Sequence, residues 1–97
     1  MVQIVLAGGS GLRIDLYLKL IGVSKTRMAA KRLCDNGKIL LGGKNLKPSH
    51  ELEGGEILDV LLPFKEIKLQ VTAIPPAKSV SKQDRAEFFQ IESTKEI

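Results

Sequence analysis

Basic side chains are concentrated in one part of the 97-residue chain. Residues 13–47 carry nine Lys or Arg and two Asp, a net charge of +7, whereas residues 48–97 carry six basic and nine acidic side chains, a net charge of −3. Charge separated in this way favours a surface that meets a polyanion, and the pI near 9.4 is typical of nucleic-acid-binding domains. On charge alone, a basic face that contacts only solvent is the alternative.

Many of these charges fall on one predicted helix. Ser24 offers an N-cap, residues 25–36 have helical spacing, and Gly37 is suited to end the helix. One arc should pack inward and consists of Thr26, Ala29, Ala30 and Leu33. The opposite arc holds Lys25, Arg27, Met28, Lys31 and Arg32. Arg27 and Lys31 are like charges four residues apart, which costs roughly 0.2–0.5 kcal/mol. Phosphates bound between them would offset that cost.

A shorter helix is predicted before the basic one, from Arg13 to Ile21, with Gly22 placed to end it. Its inward face should consist of Ile14, Tyr17, Leu18 and Ile21. Asp15 and Lys19 fall on the other side and are expected to point away from the core.

Beyond Gly37 the hydrophobic period changes to two, which indicates strands. The expected strands are Ile39–Leu41, residues 57–62 and residues 67–72, with turns at Gly42-Gly43 and Gly54-Gly55 and an end of the sheet at Pro75-Pro76. Ser81 and Asp84 are similar to a capping box, so a last helix is expected from Ser81 to Ile91.

The chain therefore divides into three predicted regions. Residues 1–12 form a flexible N-terminal extension, in which residues 2–6 could pair as an edge strand. Residues 13–76 form the main domain, and residues 77–97 form a C-terminal helical tail. The predicted fold class is α+β, with two short helices packed on a small, mainly antiparallel sheet and a C-terminal helix.

Residues that could perform catalysis or bind metal are sparse. The segment from Gly37 to Gly42 fails as a phosphate-binding P-loop, because Lys44 comes one place late and Asn45 stands where Ser or Thr is required. His50 and Cys34 are single residues of their types, which cannot assemble an ordinary zinc site. We expect a solvated His50, a buried and inert Cys34, and a protein without enzymatic activity, metal or cofactor.

The composition also indicates where the protein works and how it would bind. One cysteine cannot form an internal disulfide, and no segment resembles a signal peptide or approaches the roughly 20 apolar residues of a membrane span. A cytoplasmic protein with no membrane contact is expected. With no Trp, one Tyr and three Phe, the chain is poorly suited to stacking on bases. Nucleic acid would instead be bound through phosphates and shape.

The order of residues over about positions 13–61 resembles the S-four (S4) RNA-binding domain, a family named for a small-subunit ribosomal protein. The matching residues are Arg13-Ile14-Asp15, Leu18, Gly22, Thr26-Arg27, Ala30, Leu33, Gly37, Ile39, Leu41, Gly43, Pro48-Ser49, Gly55-Glu56, Leu58 and Val60. The departures from the pattern are Thr26 in place of Ser, Gly42 in place of Asn and Glu56 in place of Asp. Among the members of the family, the chain resembles the small stand-alone ones, the fifteen-kilodalton heat-shock protein and the P factor of bacterial ribosome-associated quality control.

The resemblance implies a basic surface that cradles structured RNA. By position, the RNA-contacting residues are Arg13, Thr26, Arg27, Lys31 and Lys38. Lys25 and Arg32 join them from their place on the helical wheel. The similar small members bind the large ribosomal subunit and help to hold tRNA while a stalled chain is extended or released, which implies rRNA and tRNA as partners. We expect a monomer.

Two other functions fit part of the pattern. A helix, a glycine turn, a basic helix and a hairpin would suit a winged helix-turn-helix bound to DNA, although the basic arc has few groups that read base edges. A protein-interaction module that presents its basic face to an acidic partner is the other alternative.

Overall fold

The computed structural model describes residues 11–76 and 80–96. Within these ranges lie two α-helices and five strands. The helices are α1 (Ile14–Leu20) and α2 (Arg27–Asp35). The strands are β1 (Ile39–Leu41), β2 (Lys44–Asn45), β3 (Ile57–Leu61), β4 (Lys65–Val71) and β5 (Phe89–Glu96), with a single 3-10 turn at Arg85–Glu87. The α+β class expected from the sequence is confirmed.

Every neighbouring pair of strands in the sheet is antiparallel, in the order β2-β1-β3-β4-β5. Val60 pairs with Ile39 on one side and Ile67 on the other, and Leu58 pairs with Leu69. Since successive side chains of a strand point to opposite faces, these residues form the inner face of the sheet. The alternation read from the sequence is confirmed for β3 and β4.

Both helices pack on that inner face. Ile14, Tyr17 and Leu18 of α1 are fully buried, and α2 contributes Ala30 and Cys34 to the same core. The chain leaves α1 through Gly22 at φ 86°, a left-handed conformation that glycine adopts without strain. The two predicted helices are therefore confirmed, each shorter than expected by a residue or two at its ends.

The N-terminus of α1 is held by the loop between β2 and β3. The His50 carbonyl accepts from the Ile14 N–H at 2.8 Å, and the Pro48 carbonyl accepts from the Asp15 N–H at 3.3 Å. In the opposite direction, the Leu52 N–H of the loop donates to the Leu12 carbonyl at 2.9 Å. Backbone carbonyls thus satisfy donors that the first turn of a helix cannot satisfy by itself.

The predicted N-terminal extension of residues 1–12 is wrong at its last residue. Leu12 is 4% exposed and belongs to the core. The remainder of the extension, residues 1–10, with its possible edge strand, lies outside the described residues.

The prediction of a helix from Ser81 to Ile91 is wrong, and so is the prediction that the sheet ends at Pro75-Pro76. Ser81 and Asp84 close a local turn, in which the hydroxyl donates to the Asp84 carboxylate at 2.9 Å. The chain then runs as β5 along the edge of β4, with Val71 paired to Phe89 and Lys65 paired to Glu96. A helix this short is marginal alone, whereas β4 offers a row of backbone partners.

Tyr17 ties this C-terminal segment to the helical layer. Its hydroxyl donates to the Phe88 carbonyl at 2.7 Å, across 71 positions in sequence. Burial raises the pKa of the Tyr17 hydroxyl, so it remains a protonated donor well into the alkaline range. At the surface nearby, the Thr72 hydroxyl donates to the Glu87 carbonyl at 3.0 Å.

Replacing Tyr17 with Phe should lower the free energy of unfolding by about 0.5–1.5 kcal/mol, because the Phe88 carbonyl loses its shorter hydrogen bond and keeps only the one from the Thr72 N–H at 3.3 Å. Urea denaturation followed by circular dichroism measures the change. Thr72→Val is the matched control, since it removes a hydroxyl bonded to the adjacent carbonyl at an exposed site and should cost less than about 0.5 kcal/mol. Equal losses of unfolding free energy in the two variants would show that the Tyr17 hydrogen bond stabilises the fold no more than the exposed Thr72 hydrogen bond does.

Candidate nucleic-acid interface

The outer face of α2 carries most of the predicted binding residues. Arg27, Lys31 and Arg32 are exposed on the helix, and Lys25 is exposed just before it. Met28 lies among them with 61% of its surface exposed. The division of α2 into a cationic outer arc and a buried inner arc is confirmed for these positions.

Thr26, not Ser24, caps α2. The Thr26 hydroxyl oxygen accepts from the Ala29 N–H at 3.0 Å, and its backbone is extended at φ −133° and ψ 159°. The Ser24 hydroxyl donates instead to the Thr26 carbonyl at 3.0 Å. The predicted cap at Ser24 was therefore wrong, and Thr26 is exposed at the helix start rather than packed inward. Because the Thr26 backbone is extended, the helix does not continue backwards through it.

Asp15 lies beneath the basic surface, contrary to the expectation that it faces solvent. Its side chain is 3% exposed, and its two carboxylate oxygens face different arginines. One oxygen pairs with Arg13 Nη2 at 3.0 Å and the other with Arg27 Nε at 3.3 Å. The helical wheel of α1 assigned this polar residue outward, because Arg27, which donates to its carboxylate, lies on the other helix.

The predicted residues are only partly brought together. Arg13, Arg27 and Lys31 line one shallow groove of about 320 Å³ with Met28 and Asp15. Lys31 also pairs along the helix with Asp35 at 3.2 Å, where both side chains are about half exposed. Such an exposed pair is weak and readily opened by a stronger anion.

Lys38 lies apart from this groove, at the start of β1. Its backbone joins α2 to the sheet, because its N–H donates to the Leu33 carbonyl at 2.9 Å and its carbonyl accepts from the Leu61 N–H at 2.8 Å. The Lys38 side chain lines a second shallow groove with Asn36 and Pro63. These two backbone hydrogen bonds thus fix the position from which the Lys38 side chain extends.

The residues considered for catalysis or metal binding have structural roles. His50 is half-buried and its Nε2 lies 3.0 Å from a Glu56 carboxylate oxygen, so the expectation of a solvated side chain was wrong. Cys34 is buried as expected, and desolvation, with the Asp15 and Asp35 carboxylates, raises its pKa to about 11. Among the described residues, no cluster of three His, Cys, Asp or Glu could hold a metal ion. None of the described helices is long and apolar enough to cross a membrane.

Comparison with known proteins identifies the domain. The family model described as the S4 domain matches residues 12–58. The RQC P-site tRNA stabilizing factor of Helicobacter pylori is 30% identical over 73 residues, which cover 75% of this chain and 87% of that protein. The factor of the same name from Bacillus subtilis is 31% identical over 75 residues, which cover 77% and 84%.

A solved structure gives the same fold. The trimeric structure of heat shock protein 15 from Vibrio cholerae matches with a TM-score of 0.78 at 21% identity, covering 84% of this chain and 82% of that one. The fold and the basic surface thus define a small S4-domain protein. More narrowly, the chain belongs to the family of S4-domain proteins that includes the RQC P-site tRNA stabilizing factors. The resemblance inferred from residues 13–61 is confirmed.

The cap of α2 can be tested separately from binding. Thr26→Ala should lower the free energy of unfolding by about 1 kcal/mol, because it leaves the Ala29 N–H without its acceptor. Ser24→Ala should change it by less than about 0.5 kcal/mol. Thermal and urea unfolding of both variants measure the difference, and a larger loss at Ser24 would contradict the assignment of the cap.

Proposed function

We propose that this protein binds structured RNA through the outer face of α2, the start of α1 and the residue that precedes β1. The binding residues are Arg13, Lys25, Thr26, Arg27, Lys31, Arg32 and Lys38. The observation that carries the proposal is the groove in which cations from both helices, Arg13, Arg27 and Lys31, line one surface. Such a surface suits a phosphate backbone, because Arg and Lys neutralise phosphates and release bound counterions.

The family supports RNA as the polyanion. The relatives from H. pylori and B. subtilis are named as stabilizing factors for P-site tRNA, and most of the length of each is covered by this chain. We therefore assign to this chain a role in rescue of stalled ribosomes, with rRNA and tRNA as ligands. This family membership favours RNA over the DNA and acidic-protein alternatives that the sequence left open.

The assembly we propose is one copy of the chain on the large ribosomal subunit, in the cytoplasm. One copy suffices because the described residues of a single chain already enclose a hydrophobic core and present the basic groove. The function is binding and positioning of RNA, with no chemical step. RNA is held by contacts to phosphates and by shape.

Ultraviolet crosslinking in bacterial cells, followed by sequencing of the attached nucleic acid, tests the ligand. Reads concentrated on large-subunit rRNA and tRNA are expected. Reads on another structured RNA would keep RNA binding and contradict the ribosomal role. Enrichment of DNA, or of no nucleic acid, would contradict RNA binding itself.

Replacing Lys31 or Arg27 with Ala should weaken binding to purified bacterial large ribosomal subunits. Each change should also reduce the slope of log affinity against log salt by about one, since one phosphate contact is lost. Titrations at several KCl concentrations and fixed Mg²⁺ measure both quantities. Lys68→Ala removes the same charge from the exposed outer face of the sheet and is the matched control. An unchanged slope in Lys31→Ala and Arg27→Ala would remove both residues from the interface.

A further inference from the structure

We propose that Asp15 is a positioning residue for RNA binding, which holds Arg13 and Arg27 in the arrangement that meets the phosphates. The inference rests on the proposed function and concerns an acidic residue that would contact no RNA itself. All three residues line the groove in which the phosphates would bind.

The contacts of the Asp15 carboxylate are divided between the two cations. Its Oδ2 accepts from Arg13 Nη2 at 3.0 Å, and its Oδ1 accepts from Arg27 Nε at 3.3 Å and from the Leu16 N–H at 2.8 Å. The backbone bond from Leu16 fixes the carboxylate relative to α1. Arg13 and Arg27 come from different elements, so this one side chain sets the spacing between their guanidinium groups.

Each arginine keeps a surface for a ligand while it is held. The Arg13 side chain is 43% exposed and the Arg27 side chain is 48% exposed, whereas the Asp15 side chain is 3% exposed. Arg27 binds Asp15 through Nε, and the planar guanidinium has further N–H donors. A phosphate can therefore approach from the groove without displacing the carboxylate.

The physical benefit is pre-organisation. An unrestrained arginine loses rotamer freedom when it binds a phosphate, and this loss reduces affinity for each side chain that must be ordered. Asp15 orders both arginines in advance. Its negative charge opposes phosphate binding, but the pre-organisation of two arginines outweighs the repulsion from one buried acid.

A positioning role for Asp15 and a purely electrostatic role predict opposite changes in RNA affinity when Asp15 is replaced by Asn. Removing a negative charge from a basic surface should tighten RNA binding if Asp15 acts only through its charge. If Asp15 positions the arginines, Asp15→Asn should weaken binding, because the amide keeps the size of the side chain but loses the charged bonds to both arginines.

The experiment is a titration of wild-type protein and variants with purified bacterial large ribosomal subunits. Asp15→Asn is expected to weaken binding about tenfold, the scale of ordering two long side chains. Asp35→Asn is the matched control, since it removes the same charge beside Lys31 at a half-exposed site. It should leave binding unchanged or tighten it by less than about twofold. Equal or tighter binding by Asp15→Asn would overturn the inference.

A double-mutant cycle separates positioning from a general loss of structure. In an Arg13→Ala, Arg27→Ala background, Asp15→Asn should no longer weaken binding, whereas a purely structural defect would weaken it in both backgrounds. If Asp15→Asn does not fold, Arg27→Lys gives the answer, because it keeps the charge on an exposed side chain. It should weaken binding nearly as much as Arg27→Ala, and wild-type affinity in Arg27→Lys would overturn the inference.

Failure of the proposed RNA-binding function and failure of the positioning role of Asp15 give different results in these experiments. If wild-type protein does not bind the subunits, or if Lys31→Ala and Arg27→Ala both bind as wild type at every salt concentration, the proposed function fails. If Lys31→Ala weakens binding and Asp15→Asn does not, the basic surface stands and only the positioning role of Asp15 is lost.

Discussion

The junction between α1 and the loop that precedes β3 is the constraint on which the rest of this domain depends. A helix as short as α1 is marginal alone, and its first donors need acceptors from outside the helix. The His50 and Pro48 carbonyls supply them, so α1 starts at one defined residue against the sheet. Arg13 lies at that start and Asp15 one residue inside it. The placement of both therefore follows from the backbone of a distant loop.

The same junction makes it possible to bury an acid beneath a strongly basic surface. A buried carboxylate is costly unless it is paired and hydrogen-bonded, and Asp15 meets that condition through Arg13, the Leu16 N–H and Arg27, which α2 brings across to it. The pairing reduces the repulsion between Arg13 and Arg27, which lie in one groove. A stretch with a net charge of +7 can thus place cations from two elements side by side without relying on a bound anion.

Local sequence signals predicted the parts of the fold that depend on near neighbours. Helical spacing and the glycines at positions 22 and 37 located both helices, and alternation located β3 and β4. Asp15 was misplaced because Arg27 lies on the other helix, which the helical wheel of α1 does not include. His50 was misplaced because Glu56 lies six positions later in the same loop, where no regular period relates two side chains. The C-terminal strand was missed for the same reason, since the edge of β4 decides the conformation of residues 89–96.

Stability and binding are assigned to different sides of the same helix. The inner side of α2 buries Ala30 and Cys34, and its first turn is capped by Thr26, so packing and the cap hold the helix and the exposed Lys31–Asp35 pair adds little. The repulsion between Arg27 and Lys31, roughly 0.2–0.5 kcal/mol, is small beside the contribution of the cap alone. The outer face is therefore able to carry an excess of cations over acids. This suits a phosphate-binding surface, because Lys31 gives up only a weak exposed pair with Asp35, and Arg27 has further N–H donors beside the one bound to Asp15.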